Sequence, residues 1–153
     1  MSYFLRESAA LIAGLWIGLI IGVSFYAAPI KFTAQDLAYQ DLLLVGYVTF
    51  HGFTWVEFST FGILTLCSLI HLSRPIILSG LSLLILLVIQ KFMVLPQFDE
   101  VLHQVIEGQD RKRNYLHYLY GALDLIKIGT LITLFLFYRQ NNTSEKQKVI
   151  PTS

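Results

Sequence analysis

Charge is what this chain has least of. Only 14% of its 153 residues are Asp, Glu, Lys or Arg, and 55% are hydrophobic, whereas roughly a quarter of a soluble globular domain is charged. A soluble fold this small cannot hide so much apolar surface, but a bilayer can take it up. Cysteine is nearly absent. The single Cys67 excludes an internal disulfide framework and a thiolate metal cluster, and inside an apolar run it reads as packing. With two methionines beside that thiol, a soft copper(I) site is poorly supplied. The net charge is +1, and no basic stripe interleaved with aromatics points to nucleic acid as a partner. There is no H-E-x-x-H, C-x-x-C or phosphate loop. No Ser or Thr stands at helical spacing from both a histidine and an acid, as a nucleophilic triad requires. An enzyme is therefore not the expectation.

Four apolar windows are present, at about Ala9–Ile30, Leu42–Ile70, Ile76–Leu95 and Tyr115–Tyr138, each long enough for the roughly 20 residues of a membrane span. The first is too long for the apolar core of a signal peptide. Its one small-residue site, Ala27-Ala28, precedes Pro29 and follows bulky Phe25 and Tyr26, so it reads as a retained helix. The second window must tilt or project beyond the hydrocarbon. Pro75 suits the first turn of the third helix. The expected fold is an all-α, integral membrane four-helix bundle in one domain over residues 1–138, followed by a disordered polar tail over 139–153.

Between the third and fourth windows, Phe98, Val101, Leu102, Val105 and Ile106 recur at helical spacing among Asp99, Glu100, Gln104 and Glu107. That pattern predicts an amphipathic helix over 97–107, either lying in the interface or continuing the third span past a kink at Pro96. Gly108 would end it, and Asp110-Arg111-Lys112-Arg113 would be solvated beside the membrane. Arg6, Arg74, Arg139, Lys146 and Lys148 share one side in this topology, opposite Lys31, Arg111, Lys112 and Arg113. The two sides differ by one basic residue, with Lys91 ambiguous near a helix end. Arg6 and the amino terminus beside the first helix tip the reading to both termini in the cytoplasm. The expected location is a bacterial inner membrane.

Ala10, Gly14, Gly18 and Gly22 are spaced four apart in the first window. Such a small-residue ridge lets another helix approach closely, within the bundle, in a homo-oligomer or on a membrane partner. The fourth window carries a polar stripe of His117, Tyr120, Asp124 and Lys127 on one helix face. Asp124 and Lys127 lie mid-span, where each charge costs about 2.5–3.5 kcal/mol on an insertion scale and must face protein or water. Their i,i+3 spacing allows a self-neutralised structural pair. The competing reading is a ligand or proton site. The second window adds Glu57 at mid-depth with His51 and Thr54, and the third adds Gln90 and Lys91. Lys91 would snorkel to the surface. Turned inward, it would complete a neutral set of four charges with Glu57, Asp124 and Lys127.

His51 precedes Glu57 by six residues and His117 precedes Asp124 by seven, which puts the two histidines at one depth if the acids share theirs. They could then be axial ligands of a haem or part of a metal site, although a hydrogen-bonded histidine is the commoner case. The ligand-binding candidates are thus His51, Glu57, Lys91, His117, Tyr120, Asp124 and Lys127. The expected function is to bind or pass a small polar or cationic species. The alternatives are an accessory or assembly subunit of a membrane complex, docked through the glycine ridge, and a bis-histidine haem-binding redox protein.

Trp16, Gly18, Val23-Ser24-Phe25, Pro29 and Phe32 in the first helix, Pro96 after the third span, and His117 with Asp124 seven residues on together resemble a known group. It is the four-helix membrane family of unknown function that includes transmembrane protein 205. The likeness extends over most of residues 10–130. More distantly, the chain is similar to the copper-resistance D membrane proteins. The resemblance implies a fold and a topology and no reaction.

Overall fold

Among the described residues every regular element is helical. The computed structural model describes residues 2–33, 37–69, 72–108 and 115–149, with side chains from Phe4 to Gln140 within those ranges. Ala34-Gln35-Asp36, His71, Asp110-Arg111-Lys112-Arg113 and residues 150–153 lie outside them. The elements in chain order are α1 (Ser2–Ile20), a π-helical turn (Ile21–Ala27), α2 (Ala28–Ile30) and a 3₁₀ turn (Lys31–Thr33). Then come α3 (Tyr39–Ser68), α4 (Arg74–Ile89), a second π-helical turn (Gln90–Val94), α5 (Leu95–Ile106) and α6 (Tyr115–Val149). Three continuous helical stretches, Phe4–Thr33, Arg74–Ile106 and Tyr115–Gln140, are long and apolar enough to cross a membrane. The fourth long helix, α3, has 30 residues and a richer load of Thr, Ser, Gly and His.

Proline shapes two of these stretches. Pro29 and Pro96 each stand in the first turn after a π-helical turn. A proline inside a helix has no N–H to donate and clashes with the carbonyl four residues back. The π turn relieves both problems by shifting the ladder just ahead of it. The N–H of Ala28 reaches the carbonyl of Val23, and that of Leu95 reaches Gln90.

Of the two placements expected for the amphipathic segment, the structure has the continuation of the third span. The segment continues α4 through Pro96 to Ile106, giving one stretch of 33 residues, about 50 Å long at 1.5 Å per residue. Its apolar face packs in part against α3. Leu95, Val101 and Leu102 are buried, and Gln40 donates to the Val105 carbonyl at 3.3 Å. Gly108, at φ 82°, ends the helix in the left-handed conformation that glycine adopts without steric cost. At the other end of the chain, α6 runs on to Val149, beyond Arg139, where the polar tail is expected to begin.

Packing follows the small residues of α1, only some of them the expected ones. This helix lies against α6 and α3 through Ala9, Ala10, Ala13, Trp16 and Ile20, all buried. Of the expected ridge, Ala10 and Gly14 border that contact, and Gly18 and Gly22 are turned away from it. A methyl at Gly14 would meet the Phe135 ring at 3.7 Å, whereas Gly18 and Gly22 have nothing within 4 Å. Accordingly, Gly14→Leu should cost about 1–3 kcal/mol by overpacking, while Gly18→Leu should melt like the parent chain in detergent. A large loss at Gly18→Leu would instead mean that another chain covers that face.

The core has two apolar regions. One joins Trp16, Phe53, Leu83, Leu87, Leu131 and Leu134 with the alanines of α1. The other joins Ala28, Phe50, Val94, Leu95 and Tyr120. Thr54, Glu57, Gln90, Asp124 and Lys127 are buried as well, and along Arg74–Ile106 and α6 the polar residues fall between the two sets.

Candidate functional site

An ammonium at the centre of the polar layer organises everything around it. Lys127 is fully buried and ion-pairs with both acids, with Asp124 Oδ1 at 2.8 Å from its own helix and with Glu57 Oε1 from α3. The i,i+3 pairing expected within α6 is thus present, and Glu57 meets it from the second long helix. Both acids are held by further donors. Trp16 Nε1 donates to Glu57 Oε1 at 3.2 Å, and Gln90 Nε2 donates to Asp124 Oδ1 at 2.9 Å. Four helical stretches therefore converge on one polar knot.

Two of these groups were legible only as something else. Trp16 enters the sequence reading as part of a family pattern. Yet an indole N–H in an apolar helix needs an acceptor, and a buried carboxylate is a strong one. Gln90 continues the buried stripe of Leu83, Leu86, Leu87 and Val94 and points inward. Lys91, one residue and about 100° further round the helix, does not join the cluster. Its ammonium lies 5.4 Å from the centre of the Trp55 ring. The neutral four-charge set is thus corrected to three charges and an amide.

The three charges do not cancel. Glu57 and Asp124 against Lys127 leave one formal negative charge, and among the described residues no other cation pairs with either acid. Several acceptors are also left over. Glu57 Oε2, Asp124 Oδ2 and Gln90 Oε1 are buried and have no hydrogen-bond partner. The Tyr120 hydroxyl, one turn before Asp124 and beside Thr54, makes no well-formed hydrogen bond either. Uncompensated charge in an apolar interior is among the costliest arrangements a fold can hold.

No family model, curated protein or solved structure matches the chain. The site must be read from its own atoms.

The histidines stand apart from the knot. His51 and His117 both border a groove formed by α3, α5 and the start of α6. His51 Nδ1 lies 3.0 Å from the Tyr47 carbonyl and Nε2 lies 3.5 Å from Asp99 Oδ2, so both ring nitrogens face a partner. His117 packs edge-on to Phe50. Among the described residues no group of three His, Cys, Asp or Glu side chains could hold a metal ion. Of the candidates, then, Glu57, Asp124 and Lys127 come together with Tyr120 adjoining, while His51, His117 and Lys91 do not.

Removing one donor should show how tightly the knot is tied. Trp16→Phe keeps a ring against Phe61, whose centre lies 6.5 Å away, and deletes only the N–H. A hydrogen bond to a charged acceptor contributes about 1.5–3 kcal/mol, so the variant should melt correspondingly lower in mild detergent. An unchanged melting point would mean that Glu57 does not use the indole.

Proposed function

We propose that the chain is a four-helix membrane bundle whose buried Glu57–Asp124–Lys127 cluster binds or passes a small cation, in its simplest form a proton. The observation that carries this reading is the uncancelled negative charge beside three buried oxygens without donors. One positive charge would satisfy both deficits at once. A sodium or potassium ion would draw on Glu57 Oε2, Asp124 Oδ2 and Gln90 Oε1 as oxygen ligands. A proton would sit on one carboxyl and donate to an oxygen nearby. A cavity bordered by Ser24, His117, Tyr120 and Gly121 leads from the surface to Tyr120, one turn from Asp124.

Placing α3 in the bilayer as a fourth span rests on how it treats its hydroxyls. Thr49, Thr54, Ser59, Thr60, Thr65 and Ser68 each donate to the carbonyl four residues back. This is how serine and threonine are accommodated inside a membrane. A hydropathy sum counts each hydroxyl as polar although its donor is already used. The outward side chains of α3 include Val48, Trp55, Ile63 and Leu66, all strongly exposed and suited to lipid. The bacterial inner membrane, both termini in the cytoplasm, and kinship with the family that includes transmembrane protein 205 belong to the same proposal.

The test is thermal melting of the purified protein in uncharged detergent. Sodium, potassium and choline chloride are varied at fixed pH, and pH is varied at fixed choline. A ligand bound only by the folded state raises stability by about 2.7 kcal/mol at a hundred times its Kd. A metal cation should raise the melting point over choline, and proton uptake should make stability fall as pH rises. Melting that ignores both variables would favour the accessory-subunit reading, in which the charges only hold the helices together.

A further inference from the structure

The groove bordered by His51 and His117 is a separate site that the cation reading does not use. It encloses about 200 Å³, and its walls include Leu43, Leu95, Val101 and Leu102 with the rings of Phe50 and Phe98. Lys31, at the end of the first helical stretch, reaches into it. Its ammonium lies 5.0 Å from the centre of the Phe32 ring and 5.7 Å from that of Phe50. It passes so close to α3 that a methyl at Gly46 would collide with it. Gly46 is what allows a cation into this position. Among the described residues no acid pairs with Lys31, and the nearby Asp99 is turned to His51. Aromatic faces attract an ammonium electrostatically, but they leave its charge unbalanced.

We propose that this groove binds an anionic phospholipid, with the phosphate on Lys31 and the first acyl carbons along Leu43, Leu95 and Leu102. Two deficits choose that occupant together. A cation without a counter-ion calls for an anion, and apolar walls call for hydrocarbon attached to it. A free phosphate would meet the first need and leave the second open to water. Tyr39, Tyr47 and Tyr118 also border the groove, and tyrosine with a basic residue at a helix end is the side-chain set that sits at headgroup level in membrane proteins. The site needs the chain to lie in a bilayer. It does not need the buried cluster to bind a cation, so either proposal can fail alone.

The experiment is native mass spectrometry in dodecyl maltoside, titrating phosphatidylglycerol against phosphatidylcholine of identical acyl chains. The parent chain should prefer the anionic lipid by about fivefold, the worth of one lysine near an anionic headgroup. Lys31→Gln and Lys31→Met should each bring the two lipids to parity. Lys91→Gln, over Trp55 and outside the groove, should keep the preference. If Lys31→Gln fails to fold, Lys31→Arg must retain the preference while Lys31→Met loses it. The proposal is overturned by a parent chain that does not discriminate or by a preference that survives both Lys31→Gln and Lys31→Met. Displacement of the lipid by millimolar inorganic phosphate would overturn it as well, since the site would then take the free anion.

Discussion

Lys127→Met should destabilise the protein by about 3–5 kcal/mol, the cost of removing one partner from a buried ion pair. Lys127 is the only cation paired with Glu57 and Asp124 among the described residues, and its ammonium touches both. Without it, two carboxylates face each other inside the protein with the Trp16 N–H and the Gln90 amide as their donors. Methionine matches the length of the lysine stem, so the apolar packing of that stem survives and the loss is electrostatic. The control is the triple change Lys127→Met with Glu57→Gln and Asp124→Asn, which removes every charge together. It should recover most of the melting temperature lost by Lys127→Met alone. A Lys127→Met protein that melts with the parent would show that the cluster's charges are already neutralised by other means.

Residue composition fixes some of this architecture well before any coordinates are known. Apolar length is additive along a chain, so the windows around Ala9–Ile30, Ile76–Leu95 and Tyr115–Tyr138 coincide with helical stretches able to cross a membrane. Helical spacing is local, so the Asp124–Lys127 pair could be read directly from sequence. What is not local is which face of a helix turns inward. In α1 two stripes of small residues compete, and the alanine stripe faces α6 because it shares a side with Trp16, whose indole must reach Glu57. In the third stretch the charge of Lys91 drew attention from Gln90, although the amide continues the buried stripe. The separation of the histidines from the acids was also hidden. It depends on α5 continuing α4 and packing against α3, which builds the groove that His51 and His117 border.

The two acids should behave in the opposite way from Lys127. Asp124→Asn leaves Glu57 and Lys127 as a neutral pair, and the new amide oxygen can still accept from Lys127 and Gln90. Glu57→Gln leaves Asp124 and Lys127 neutral, with an oxygen still available to Lys127 and Trp16. Each single change removes the uncancelled charge and one of the oxygens without a donor. Both variants should therefore melt within about 1 kcal/mol of the parent measured in choline, since the deleted charge was the one in excess of the cation. Both should lose the gain from sodium or potassium, or the dependence on pH, that the parent displays. Considered alone, Asp124 and Lys127 form a pair whose joint removal, as Asp124→Asn with Lys127→Gln, would be harmless. With Glu57 on the same ammonium, that double change strands the Glu57 carboxylate and should melt well below either acid variant. Acid variants that retain the full response to cations and to pH would place the binding of positive charge elsewhere and leave this cluster a structural tie between helices.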